Sequence, residues 1–514
     1  MQYKTIGFFA KNGEKIMLYQ STRNNGEKIS SANAILRGIA TDGGLYMPES
    51  LSDVEFDYKR TLDMDTYEIA EYVLATLFTD FSKEEMTDLV NKAYKTKFET
   101  DVLTPTVKVG NSFVLELFRG PTSAFKDVAL SMLPQLMTAS RQKLNISEET
   151  VILTATSGDT GKAALEGFHD VEGTKIIVFY PHGGVSPIQK AQMVTQTGNN
   201  VCVCAVRGNF DDAQTGVKKI FNTCSKEGLL KGSGFELSSA NSINVGRLAP
   251  QIVYYFRSYA DLVRNGEIKA GDKVNFVVPT GNFGDILAGY FAKLLGLPVD
   301  KLVCASNAND VLTEFLNTGR YNRMRTFYKT VSPSMDILVS SNLERLLYLA
   351  LDCDAEKTAA YMKSLDETGE YIVESETLAK LKDIFFAGCC DDEQTEKTIG
   401  EVYDNFGYLC DTHTAVAWNV AEQFKKETGN KNPVIDLSTA SPYKFADAVS
   451  HAIGLEPQDD EFVLMDNLCE KTGVAIPKGL AGLKGKEELH KDVIDKDKML
   501  EYVLGKLGES EWTK

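Results

Sequence analysis

From about residue 112 onward the chain repeats one order: a short β-branched or apolar run, a glycine-rich or small-residue turn, then a helical pattern. No other feature restricts the fold as much. "SFVLELF" leads to a segment from Asp127 in which Val128, Leu130, Met132, Leu133 and Leu136 fall at roughly helical spacing, interrupted by Pro134. "TVILTAT" runs into "SGDTGKAALEGFHD" in the same way. "KIIVFYP", "VCVCAV", "VNFVVP" and "PVIDLST" are further runs of the kind that fill buried parallel strands. Strands alternating with helices mean an α/β fold.

A chain of 514 residues is long enough for two or three domains with sizeable cores. The first hundred residues read differently, with mixed polar stretches, the turn-rich "ATDGGLYMPES" and amphipathic helix candidates near 66–80 and 83–97. From about 310 to 400 the pattern is mainly helical and charged, as in "SNLERLLYLALDCDAEKTAAYMKSL". These changes predict an N-terminal domain over 1–100 and a small α/β domain over 146–249. A large α/β domain is built from 101–145 and 250–514, with the helical stretch 310–400 as an insertion.

The balance of 55 basic against 72 acidic residues, net −17, argues against nucleic-acid or anionic-membrane partners, whose charge the overall field repels. A small anionic ligand needs only a local basic pocket. Nine cysteines are scattered without repeated C-x-x-C spacing, so neither a metal site nor a disulfide framework is expected, and thiols in a reducing cytosol are. The opening "MQYKTIGFFAKNGEKIML" holds a five-residue apolar run, too short for a secretory signal, and no uncharged apolar run reaches spanning length. The expectation is a soluble cytoplasmic protein.

Three small-residue turns follow predicted strands: Ser157–Gly161, Gly281–Asp285 and Ser438–Ser441. In an open α/β sheet such turns lie at the carboxyl ends of strands, where ligands bind. In "VNFVVPTGNFGDILAGYFAKLLG" the turn Gly281-Asn282-Phe283-Gly284-Asp285 stands between strand and helix, where backbone N–H groups cradle a phosphate. No P-loop or dinucleotide fingerprint fits there, which lowers ATP and NAD as ligands. Lys126, in "PTSAFKD", sits against Phe125 and Ala124. A lysine opening a helix and reaching solvent is the plain alternative. In a small apolar pocket, however, lysine sheds its proton near neutral pH and attacks an aldehyde.

In that order, "GPTSAFKD", "TATSGDTG", "PHGGVSPIQKAQM", "SSANSINVGR", "PTGNFGD", "DTHTAVAW" and "STASPYKF" closely resemble the longer class of threonine synthases. "YQSTRNNGEKISSANAILRGIATDGGLYMPE" resembles that family's opening segment, and "AIPKGLAGL" suits its C-terminal end. The resemblance implies a tryptophan-synthase-like fold of type II: two α/β sheet domains with an added N-terminal domain and a helical insertion. It also implies pyridoxal 5'-phosphate as cofactor. The implied reaction turns O-phospho-L-homoserine and water into L-threonine and phosphate, by a monomer or homodimer without a metal. Carried over, Lys126 would bind the cofactor covalently, and Gly281, Asn282, Phe283, Gly284 and Asp285 would hold its phosphate. Thr439 would bond the pyridine nitrogen, and Asp159 would approach the phenolic oxygen. Ser157 and Thr160 would take the substrate carboxylate. A hydroxyl beside the pyridine nitrogen makes the ring a weaker electron sink than a carboxylate does, which suits elimination and replacement. The sequence departs from the family at Arg119, where many members have histidine, and at Ser441 and Tyr443 of "STASPYKF".

For the substrate phosphate the candidates are Asn241, Ser242, Asn244 and Arg247, where small polar residues run into an amphipathic helix. The rival reading makes Arg247 a structural ion pair and the asparagines caps. His413 reads equally as structural or catalytic. Two other outcomes stay open: a phospho-lyase releasing 2-oxobutyrate, and a cofactor-binding protein without turnover.

Overall fold

The computed structural model describes residues 16–49, 51, 54–156 and 158–509; most of the opening "MQYKTIGFFAKNGEKIML" and Ser157 lie outside them. Two open sheets organise the chain. The larger has six strands in the spatial order Phe385–Cys389, Val299–Ser306, Val274–Pro279, Val434–Ser438, Ser112–Glu116 and Thr106–Val109. All its pairings are parallel except the hairpin that adds Thr106–Val109 at one edge. The smaller has five parallel strands, Asp492–Asp495, Val201–Arg207, Thr174–Pro181, Glu149–Ala155 and Phe235–Ser238. Each apolar run named from the sequence became one of these strands, because burial on both faces demands near-continuous apolar character. The N-terminal segment adds a three-stranded antiparallel sheet, the short helix Ser31–Arg37 and two longer helices, Thr66–Leu77 and Lys83–Tyr94, each of these two opened by a capping box.

Two segments bear on the predicted partition. Within 310–400, read from the sequence as mainly helical, Phe385–Cys389 is an edge strand of the large sheet. At the C-terminus Asp492–Asp495 crosses to the small sheet, pairing with Cys204–Arg207, and the helix Met499–Leu507 packs Met499 and Val503 among Val217 and Ile220. The segment 492–507 therefore belongs with the small sheet. "DVID" carries two aspartates and almost no buried side, so it gives no strand pattern of its own; it is recruited by the open edge it covers.

Pro134, read from the sequence as an interruption, sits inside its helix instead. The helix Lys126–Leu144 runs through Pro134, which leaves the Leu130 carbonyl without its helical donor. Gly167 of the helix Asp159–Phe168 packs straight onto that carbonyl, and a Cβ there would stand 2.0 Å from its oxygen. The defect in one helix is the close-packing point for the next, and it holds the small sheet's helix beside the start of the Lys126 helix.

Candidate active site

Three neighbouring strands of the large sheet, Val274–Pro279, Val434–Ser438 and Ser112–Glu116, end at one place. Beyond their carboxyl ends lie the Gly281 turn, Thr439 and the Lys126 loop. The Lys126 loop is stitched to the Thr439 turn by backbone: Phe125 N donates to Thr439 O at 2.8 Å, Ser441 N to Ser123 O at 3.1 Å, and Ala124 pairs with Ala440. Ser123 takes a φ of 59°, the reversal that turns the chain into the helix.

Lys126 is 9% exposed, its ammonium 4.6 Å from the Phe125 ring and 3.9 Å from Asp159 Oδ2. Burial pulls it down to about 8; Asp159 opposes the shift, while Lys444 and Arg247 add to it. Asp159 comes from the first turn of its helix on the small sheet, so Lys126 and its carboxylate belong to different sheets. Burial alone would raise Asp159, but Lys444 and Lys126 hold it well below the usual carboxylate range. Its Oδ1 meets Lys444 Nζ at 2.7 Å and accepts from Gln189 Nε2 at 3.1 Å; its Oδ2 accepts from Ser334 Oγ at 3.3 Å. Ser334 N in turn donates to His413 Nε2 at 3.1 Å, so the ring proton sits on Nδ1, donated to Asp411 Oδ2 at 2.7 Å. His413 therefore orients Ser334.

The cradle is built from backbone. The helix Gly284–Leu294 opens after Phe283, which has a φ of 61° and makes no side-chain cap, leaving its first N–H groups to a ligand. A Cβ on Gly281 would stand 2.7 Å from the Ser334 carbonyl oxygen, and one on Gly284 would stand 3.3 Å from Asn342 Nδ2. Asn282 O accepts from Asn342 N at 3.0 Å and Nδ2 at 3.1 Å. The Asp285 side chain turns to Tyr254 and Tyr255, whose hydroxyls donate to its Oδ1 at 2.6 and 2.8 Å; burial pushes it up to about 6. Asp285 thus offers the cradle its N–H rather than its carboxylate. An uncapped helix start, a Gly281 with no room for a side chain, a tightly packed Gly284 and a buried amine poised to lose its proton form a donor set that fits pyridoxal phosphate.

The segment expected to meet the substrate phosphate splits. Asn241 is exposed and Ser242 half-buried. Asn244 is the helix cap, its Oδ1 accepting from Gly246 N and its Nδ2 donating to Ile35 O, both at 2.8 Å. Both its amide oxygen and its amide nitrogen are engaged there. Arg247 is buried, with Nη1 donating to Ala240 O at 2.7 Å; Nε has no partner, and no carboxylate among the described residues pairs with it. Burial lowers it to about 10. Thr160 is half-buried in the first turn of the Asp159 helix.

The departures from the family pattern are structural here. Arg119 Nη2 lies 2.6 Å from Glu116 Oε2. Ser441 caps the short turn Pro442–Phe445, and the Tyr443 hydroxyl donates to Val474 O. The sequence reading passed over Lys444, Gln189, Ser334, Asn342 and Arg345. Arg345, fully buried, donates to Tyr46 O, Ile243 O and Asn342 Oδ1, tying the N-terminal sheet to both the anion segment and the cradle. A charged residue inside the apolar run "SNLERLLYLA" was the signal available for it.

Three family models match the chain: threonine synthase N terminus over 18–94, pyridoxal-phosphate dependent enzyme over 99–385, and threonine synthase, C-terminal, over 414–503. The chain is 38% identical to threonine synthase from Pseudomonas aeruginosa, with 86% of this chain and 92% of that protein aligned. It is also 38% identical to human threonine synthase-like 1 across 84% of its length, but spans only 59% of that longer protein. The crystal structure of PLP-bound threonine synthase from Brucella melitensis superposes with a TM-score of 0.83 at 36% identity, covering 96% of this chain and all of that one.

Proposed function

The chain belongs to the threonine synthase family, and we propose from that premise that it converts O-phospho-L-homoserine and water into L-threonine and inorganic phosphate. The observation that carries the reading is Lys126. It is a buried amine at the carboxyl ends of the central strands, pulled toward neutrality and facing a carboxylate from the other sheet. Pyridoxal phosphate, the cofactor of this family, supplies when bound the electron sink that makes protons on substrate carbon removable.

In this reading Lys126 anchors the cofactor, and the amide groups of Gly281, Asn282, Phe283, Gly284 and Asp285 hold its phosphate. Thr439 would bond the pyridine nitrogen and Asp159 would approach the phenolic oxygen. Freed by the incoming substrate, Lys126 Nζ takes the proton from Cα and shuttles protons at Cβ before phosphate leaves Cγ and water adds at Cβ. Ser157 and Thr160 take the substrate carboxylate. Arg247, with its unmatched Nε–H, takes the departing phosphate beside Asn241 and Ser242, while Asn244 caps the start of the Arg247 helix. A cytoplasmic monomer or homodimer belongs to the same proposal; all nine cysteines are free thiols, the form a reducing cytosol keeps.

Incubating the purified protein with pyridoxal phosphate and O-phosphohomoserine, and measuring threonine, 2-oxobutyrate and phosphate together, tests the reading. Threonine and phosphate in equal amounts are expected. Phosphate with 2-oxobutyrate would make the chain a phospho-lyase rather than a synthase, and no phosphate release would leave a binding protein.

A further inference from the structure

We propose that Lys444 is the positioning residue for Lys126: its buried ammonium holds the Asp159 carboxylate to itself, so that Lys126 shares that carboxylate without being locked to it as an ammonium. The inference rests on the reading of Lys126 as the cofactor-binding lysine.

The geometry is unequal. One carboxylate stands between two amines, Lys444 at 2.7 Å from Oδ1 and Lys126 at 3.9 Å from Oδ2. The first distance is a charge-assisted hydrogen bond and the second only a Coulombic contact. Lys444 is fixed there. The Lys444 side chain is 0% exposed, it sits on the tight turn Pro442–Phe445 capped by Ser441, and its Nζ also donates to Thr122 O at 3.1 Å. Thr122 O is held in turn by Gln192 Nε2, so the acceptor that steers Lys444 is part of the Lys126 loop itself.

The charged groups facing Lys126 are Asp159 from the small sheet's helix, Lys444 from its turn, Arg247 from the helix Val245–Arg264, Asp127 from its own helix and Asp285 from the cradle. Asp159 also faces His413. Lys444 and Arg247 disfavour a second ammonium; the carboxylates favour one. Removing the Lys444 charge therefore acts twice in the same direction, deleting a repulsive cation and releasing all of Asp159 to Lys126. The bland alternative is a latch, since Asp159 and Lys444 come from segments on different sheets. A latch holds the domains together but has no reason to move the protonation of Lys126.

The test uses apo-protein and reads the pH dependence of pyridoxal phosphate capture, with borohydride trapping and peptide mapping to count label on Lys126. In the wild type the capture midpoint reports the loss of the Lys126 proton. Lys444→Met is expected to raise that midpoint by about one pH unit, making capture near neutrality about tenfold slower. Lys444→Arg, which keeps the charge, should restore most of it. Asp159→Asn should move the midpoint the other way, and it keeps the proposal open to test if Lys444→Met does not fold. A folded Lys444→Met variant with an unmoved midpoint would overturn the proposal, as would an Asp159→Asn midpoint that does not fall. Label on a lysine other than Lys126 in the wild type would instead overturn the function proposed above.

Discussion

The two walls of the site are made by different means. On one side Lys126, Asp159, Lys444 and Arg247 are buried charged side chains drawn from four segments; Lys444 and Arg247 push Lys126 down, and Lys444 and Lys126 push Asp159 down. On the other, the Gly281–Asp285 cradle presents backbone, and its one carboxylate is turned away to Tyr254 and Tyr255. The charged wall depends on neighbours, because a buried ion is tolerable only beside its partner. The cradle depends on space, because N–H groups serve any phosphate that comes close enough. Losing a side chain should therefore damage the first wall, and gaining one should damage the second.

The sharpest break is Lys126→Ala. In the proposed reading anchor and base disappear together, and turnover should fall by roughly 10⁴-fold with the fold intact. A variant that keeps a tenth of wild-type turnover would remove Lys126 from the chemistry. Next comes Arg247→Ala, expected to lose on the order of 2 kcal/mol in kcat/KM for O-phosphohomoserine while the cofactor still binds, with Arg247→Lys restoring part. Unchanged kcat/KM together with a lowered melting temperature would make Arg247 a strut and move the substrate phosphate elsewhere. The smallest effect belongs to the cradle. In Gly284→Ala the new methyl meets Asn342 Nδ2, which must yield a few tenths of an ångström, so cofactor affinity should fall by about 1 kcal/mol as read by fluorescence titration. If that loss exceeded the effect of Arg247→Ala, the ranking of charge above space would be reversed.

Asn342 shows how the two walls are kept in register. Its amide donates to Asn282 O in the cradle and to Ser242 O in the anion segment, and Arg345 holds Asn342 itself. Nothing in "SSNLERLLYLA" distinguishes that asparagine from an ordinary helix cap.

What the sequence determined by itself is local: strands buried on both faces announce themselves as unbroken apolar runs, and turns that need glycine or small hydroxyls show them in place. Lys126, the Gly281–Asp285 turn and Thr439 were legible for that reason, each standing just past a strand that its own composition identifies. The tertiary structure decided the rest, because a charge has no pattern until its partner is known. Lys444 looks like a surface lysine in "SPYKF" and lies fully buried against an aspartate 285 positions earlier in the chain. Asp492–Asp495 reads from its basic-acidic surroundings as part of a solvated helix face and becomes a strand only because the small sheet has an edge to cover. Asn244 looks like a phosphate ligand until the Ile35 carbonyl claims its amide. In each case the deciding energy is a contact between residues far apart in sequence, and only the folded chain specifies it.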